Sequence, residues 1–443
     1  MDYRAEVFDQ IQFLFERNGF NDHQLHCVLQ FEHGLNEKIL KEAVIASIEA
    51  IPILGARFIE GAKPRWTSLD PKELDRAFVI ARTEMEFNDF VVSRVDEGIG
   101  PQIRLCTFNA ASFAVALKMN HMVCDAADFK RYLYYLCAIY SRLITEPGYR
   151  PSAISGDRSM RRVLKHFGLG VKLKSMLLQS DENNLTGSVR FPLSDQADAR
   201  PFILTRKLER ERTAALKDFG RAEGATLNDL LLTAFYRSLF QRLALSPGAV
   251  LQIPVMVDMR RYLGRTEDSA ALTNLASTVL TQLECRPEER FEATLGRAKA
   301  AMDKKKSSNL GLNGFIKLDL MYRVLGDQTA NRLLRSKLKN PLICMTNVGI
   351  LDSNRICFGG LRPRDAFLCG SIKYKPYFQL AMSSYDGELT LSANLSGNNS
   401  DRDSIQLLLG EIDAELSAWE QSRRAGAGVE LPSPQSVFQQ AMP

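Results

Sequence analysis

The sequence predicts an α/β protein of two domains, and three observations lead there. At 443 residues the chain exceeds the roughly 250 to 300 residues at which single cores stop growing. Strand patterns and helix patterns alternate in both halves. Between the halves, the stretch 150–200 gathers Pro151, Gly156, Gly168, Gly170, Gly187 and Pro192 among polar residues, the composition of a connection. The expected organisation is an N-terminal domain over 1–155, a connection over 156–200, a C-terminal domain over 201–425 and a flexible tail over 426–443.

The N-terminal half opens with the strand-like LHCVLQF (25–31), then a polar break, then Ile39, Leu40, Ala43, Val44 and Ile48 at helical spacing until Pro52 stops the helix. LGARFIE (54–60) reads as a strand, and Gly98, Gly100 and Pro101 punctuate the way to another starting at Ile103. Beyond the connection, Thr226 and Asp229 have the spacing of a hydroxyl cap and its reciprocating acid, so a helix is expected to start there and to hold LLLTAFYRSLF. VLQIPVMV (250–257), STVLTQL (277–283) and PLICMTNVG (341–349) are strand candidates, with a charged, helix-prone segment from Pro287 to Lys306. FQLAMSSY and ELTLSANL flank Asp386-Gly387, a two-residue turn that favours a hairpin.

Composition excludes several classes. With 45% hydrophobic and 25% charged residues, usage is that of a globular protein. A net charge of +5 spread over a large surface lacks the dense basic stripe of nucleic-acid binders, so no nucleic-acid partner is expected. Asp2, Glu6 and Asp9 interrupt the start where a secretion signal needs a basic, then apolar, run. No apolar run reaches the roughly 18 residues of a membrane span, so membrane contact is expected to be peripheral at most. The eight cysteines form no CxxC pair and read as reduced core residues, which favours a cytoplasmic location. Five histidines without HExxH or Cys/His spacing leave no expectation of a bound metal.

The chemistry concentrates in FAVALKMNHMVCD (113–125). In a strand, Phe113, Val115, Leu117 and Met119 share one face, Ala114 and Ala116 the other, and His121 continues the large-residue face. After Asp125, Phe129, Leu133, Leu136, Tyr140 and Leu143 recur at helical spacing, so His121 to Asp125 form a strand-to-helix loop. A histidine at the end of a buried strand can turn one ring nitrogen into an interior channel, where its near-neutral pKa suits proton abstraction. Cys124 is expected to be a small core filler, because residues three apart in an extended segment point to opposite faces. The acid-free segment RSMRRVLKHFGLGVKLK (158–174) could meet a coenzyme phosphate, an acidic carrier protein or an anionic membrane, or simply be a solvated linker, and Lys304-Lys305-Lys306 is equally ambiguous.

Four segments occur in an order that resembles a known superfamily: PILGARFIE (52–60), NHMVCDA (120–126), GATLNDLLLTAF (224–235) with PVMVDMRRYLG (254–264), and NLAST (274–278) with MTNVGIL (345–351). They resemble the HxxxD acyltransferases, which include peptide-synthetase condensation domains, wax ester synthases, polyketide-associated acyltransferases, alcohol acetyltransferases and the chloramphenicol acetyltransferase fold. The resemblance covers nearly the whole chain. It implies two acetyltransferase-like subdomains in a V, with an active-site tunnel between them. His121 matches the catalytic base, and Asp125 the aspartate that pairs with an arginine, for which Arg260 is the candidate. Thr346, Asn347, Ser384 and Asn120 are candidate oxyanion or tunnel residues. Many relatives have a second histidine where this chain has Asn120, and Gly where it has Ala126. The implied reaction moves an acyl group from acyl-CoA or a phosphopantetheinyl thioester, the co-substrates, to a small alcohol or amine. A stand-alone condensation enzyme fed by an acyl or peptidyl carrier protein, or a non-catalytic relative binding a carrier or lipid, are the alternatives.

Overall fold

The computed structural model describes residues 2–177, 189–196, 198–264, 271–306 and 311–426, and two main sheets organise them. The first has five strands in the order Asp365–Cys369, Gln24–Phe31, Phe113–Asn120, Ile103–Asn109, Phe78–Ala81, antiparallel except for the last pair. Phe113, Val115, Leu117 and Met119 join a core shared with the helices Glu37–Ala50 and Ala126–Thr145. Ala116 faces the other way, where Phe87 and Phe90 of the short helix Glu84–Val92 cover the sheet. A small antiparallel sheet of Asp2–Arg4, Arg65–Ser68 and Ala56–Ile59 flanks this lobe.

The second sheet runs Ala276–Glu284, Val250–Asp258, Ile343–Leu351, Phe378–Tyr385, Glu388–Gly397, and the last strand also pairs with Lys373–Tyr374 and Arg200–Leu208. Helices Leu227–Arg242, Phe291–Lys306 and Asn399–Gly426 pack their apolar residues on it. Thr226 caps the first of these, taking a bond from the Asp229 amide while the Asp229 carboxylate accepts one from Thr226 N. The hairpin turns at Asp386 and Gly387, whose φ values of 47° and 86° are those a tight two-residue turn demands.

Two boundaries read from the sequence need correction. The range 201–425 is not a closed unit. After Leu351 the chain crosses to the first lobe, buries Ile356 and Phe358 in its core, and adds Asp365–Cys369 to the edge of Gln24–Phe31 before returning at Lys373. That crossover covers an apolar strand edge that would otherwise be open to pairing with another chain. The connection is also more than a linker: it holds helices Arg161–Leu164 and Leu169–Leu177, and Arg158 forks onto the buried Asp9 at 3.0 and 2.9 Å. Residues 427–443 of the expected tail lie outside the described residues. Among the described residues, no helix is long and apolar enough to cross a membrane.

Candidate active site

The strand Phe113–Asn120 ends where Asn120 bends the chain. Its side-chain oxygen accepts from Met122 N at 2.9 Å, and its amide donates to Gln102 Oε1 at 2.8 Å. Met122, Val123 and Cys124 then turn into the lobe core and are fully buried. The Cys124 thiol lies 3.0 Å from Met119 Sδ, and burial pushes its pKa well up, so it presents no thiolate. His121 is left on the opposite side of the loop, its amide held by the His23 carbonyl at 2.7 Å.

The ring of His121 has one fixed nitrogen. Nδ1 lies 2.8 Å from the Cys124 carbonyl, an acceptor only, so Nδ1 carries the proton and Nε2 is left with a lone pair. The Asn274 amide is 3.2 Å from Nδ1 and also 3.2 Å from the His121 carbonyl, and the carbonyl is the acceptor that suits it. Burial lowers the His121 pKa, and the nearby Asp125 charge and the Cys124 carbonyl recover only part of the drop, so the ring is neutral near pH 7.

Asp125 turns away from that ring. It caps the helix Ala126–Thr145, with Oδ1 accepting from the amides of Ala127 and Asp128 at 3.1 Å each. Oδ2 accepts from Leu275 N and from Arg260 Nη1, both at 2.7 Å. Arg260 also reaches Asp128 at 3.0 Å and Asp258 at 3.0 Å, so one guanidinium serves three carboxylates. Burial raises the Asp125 pKa, but the Arg260 charge and these bonds outweigh it and hold the carboxyl below its usual range. Asp128, fully buried, was not singled out from the sequence; it accepts from Thr273 N at 2.6 Å and Arg131 at 2.9 Å. Residues 273–275 thus bind the loop of the first lobe to the second.

A cavity of about 720 Å³ opens at His121, walled by both lobes. One wall is apolar: Phe8, Ile11 and Phe15 from the helix Val7–Arg17, with Phe315, Leu318 and Met321 from Leu312–Lys337. Another part of the lining is polar and includes Asn274, Thr278, Thr346, Ser371, Lys373 and Gln379. Of the four candidate oxyanion residues, only Thr346 lines the cavity. Asn120 is committed to the loop turn. Asn347 projects to the other side of its strand, where it donates to Asn228 at 3.2 Å. Ser384 sits in the hairpin, paired with Leu389, away from the cavity. Alternation decides the first contrast, because neighbours on a strand face opposite ways. Among the described residues no group of His, Cys, Asp and Glu could hold a metal.

This arrangement of loop, ion pair and interlobe cavity can be set beside known structures. About 94% of the chain aligns with polyketide synthase associated protein 5 from Mycobacterium tuberculosis, covering 99% of that chain at a TM-score of 0.65 and 16% identity. The same share aligns with the TRI3 trichothecene 15-O-acetyltransferase from Fusarium sporotrichioides, covering 95% of it at a TM-score of 0.70 and 12% identity. The first condensation domain of the calcium-dependent antibiotic synthetase, in complex with a substrate analogue, gives a TM-score of 0.67 at 14% identity, over 94% of this chain and 96% of that one. The fold is that of the condensation domains. Its two acetyltransferase-like lobes are the two halves described above, tied together by the crossover and by residues 273–275. No protein-family model and no curated protein matches the sequence.

Proposed function

We propose that this condensation-fold protein is an acyltransferase that moves an acyl group from a thioester to a hydroxyl or amine, with His121 as general base. The observation that carries this reading is the Nδ1 bond to the Cys124 carbonyl, which leaves an unprotonated Nε2 on a cavity between two lobes. A neutral imidazole in that position takes the acceptor's proton as the nucleophile attacks the thioester carbon, a contribution typically worth about 10²- to 10⁴-fold. The carbonyl of Cys124 stabilises the imidazolium that forms. The proton then passes from Nε2 to the departing thiolate as the tetrahedral intermediate collapses. The oxyanion of that intermediate needs a fixed donor, and the Thr346 hydroxyl is the candidate that lies on the cavity. The apolar wall of Phe8, Phe15, Phe315 and Leu318 suits the acyl chain.

The donor is acyl-CoA or a phosphopantetheinyl carrier protein. The likeness to a condensation domain and to a polyketide synthase associated protein favours keeping the carrier as the second reading. The test is a panel of free acyl-CoAs and matched acyl carriers, read by thiol release and new product masses. Thiol release that survives in His121→Ala would remove His121 from the mechanism, and turnover with the carrier panel alone would select the second donor.

A further inference from the structure

Lys373 is a buried lysine on the polar wall of the cavity, 7% exposed, and among the described residues no carboxylate or carbonyl is bonded to its ammonium. The other buried lysine among the described residues behaves differently. Lys118 is satisfied by the Ser93 carbonyl at 2.7 Å and the Ser93 hydroxyl, and lies 4.1 Å over the Phe90 ring. Buried charges are ordinarily paired, and although the Asp22 charge acts on Lys373, no carboxylate is bonded to its ammonium, which is left to the cavity.

The segment that carries Lys373 is held rigidly. Ile372, buried at 1%, receives Asp22 N on its carbonyl at 3.1 Å and donates its own amide to Asp22 Oδ1 at 2.9 Å. The Gly370 carbonyl accepts from Asn394, and Tyr374 N donates to the Phe20 carbonyl at 3.1 Å. With Ile372 pinned into the core, Ser371 and Lys373, two apart on an extended segment, share the opposite side, and both line the cavity. Ser371 is buried as a residue at 5%, and its hydroxyl is also free of any partner among the described residues. An ammonium and a hydroxyl side by side on a fixed segment make a two-point site for a monoanion. Burial lowers the Lys373 pKa, with the nearby Asp22 charge opposing it, and a bound anion would favour the charged form.

We propose that Lys373 and Ser371 form the subsite for a carboxylate carried by the acyl acceptor. This rests on reading the cavity as the site of acyl transfer. The acceptor is assigned the carboxylate because the other partner is accounted for. The acyl chain matches the apolar wall, and the phosphates of a coenzyme or carrier stand a whole pantetheine arm away from the thioester carbon. Lys373 and His121 line the same cavity, so an acceptor held at Lys373 by a carboxylate can direct its hydroxyl or amine toward Nε2. The acceptor class is then a hydroxy acid or an amino acid.

The test uses 3-hydroxydecanoate and its methyl ester, titrated calorimetrically into the full-length protein and into Lys373→Met, a change that keeps volume and removes the charge. The acid is expected to bind the parent at least tenfold more tightly than the ester, and the preference is expected to vanish in Lys373→Met. Equal binding of acid and ester by the parent overturns the proposal whether or not the variant folds, as does failure of the parent to bind the acid. A preference that survives in a folded Lys373→Met overturns it too, and tighter binding of decyl phosphate than of the acid overturns the carboxylate assignment. Binding is read without turnover, whereas the acyl-transfer reading stands or falls on His121-dependent thiol release, so the two failures are separable.

Discussion

The two ends of one five-residue loop are built in opposite ways. At Asp125 every oxygen is used: two helix amides, the Leu275 amide and the Arg260 guanidinium converge on one carboxylate, and Asp128 and Asp258 share the same arginine. At His121 one nitrogen is fixed to the Cys124 carbonyl and the other faces the cavity. The difference separates what holds the loop from what reacts. A carboxylate saturated with donors has no lone pair to spare for substrate, and an imidazole with one committed nitrogen has a single defined basic site.

The contrast can be broken from the reactive end first. His121→Ala is expected to lower acyl transfer by about 10²- to 10⁴-fold with an almost unchanged melting temperature, because the side chain supplies proton transfer and little packing. Rate assays and thermal melts on the same preparation check it, and a large fall in melting temperature would mean that His121 also holds the fold.

At the structural end, Arg260→Ala is expected to be the most destabilising single change, by roughly the 3 to 5 kcal/mol typical of breaking a buried pair, since it strands Asp125 and leaves the neighbouring Asp128 to Arg131 alone. Asp125→Ala removes a helix cap as well as a charge, yet Arg260 keeps Asp128 and Asp258, so its cost is expected to be smaller. The double variant is expected to be less destabilised than the sum of the singles. Additive losses in denaturant unfolding would show that the two side chains do not act on each other.

The two ends also differ in their pH signatures. The His121 pKa is lowered on folding, so the unfolded chain takes up a proton first as pH falls below the ordinary histidine value of about 6.5. Its contribution to stability is therefore lost between that value and the lower folded one, and His121→Ala is expected to flatten this slope. The Asp125 carboxyl is also held low, so its contribution is complete above the ordinary carboxylate range and is lost as pH falls through the depressed folded pKa. Unfolding curves from pH 7 downward distinguish the two windows.

The smallest effect is expected at Cys124. Its thiol packs against Met119 in the core, so Cys124→Ala should cost about 1 kcal/mol and keep most activity. Loss of turnover with an acyl-cysteine seen by mass spectrometry would overturn the general-base account.

Much of this frame is legible in the sequence because its signals are local. Strand alternation in 113–119, the Thr226 and Asp229 capping pair and the Asp386-Gly387 turn each depend on residues a few positions apart. The parts that were not legible join distant segments. Asp365–Cys369 pairs with a strand more than 300 residues earlier, and nothing in its composition names that partner. Asp128 carries no mark beyond its place one turn into a helix, and its role depends on Thr273 and Arg260 arriving from the other lobe. Thr346 and Asn347 are neighbours on a strand, and which of them meets the cavity is set by a register that only the sheet fixes. Lys373 could be weighed only once its surroundings were known, since an isolated lysine reads as solvated surface.

The central claim is that Nε2 of His121 is an unprotonated base at neutral pH, and imidazole nitrogen NMR reads it most directly. With His121 assigned by the signal missing from His121→Ala, a two-bond proton–nitrogen spectrum near pH 7 should show a neutral ring with the proton on Nδ1 and a pyridine-type Nε2. A proton on Nε2, or an imidazolium at that pH, would contradict the account.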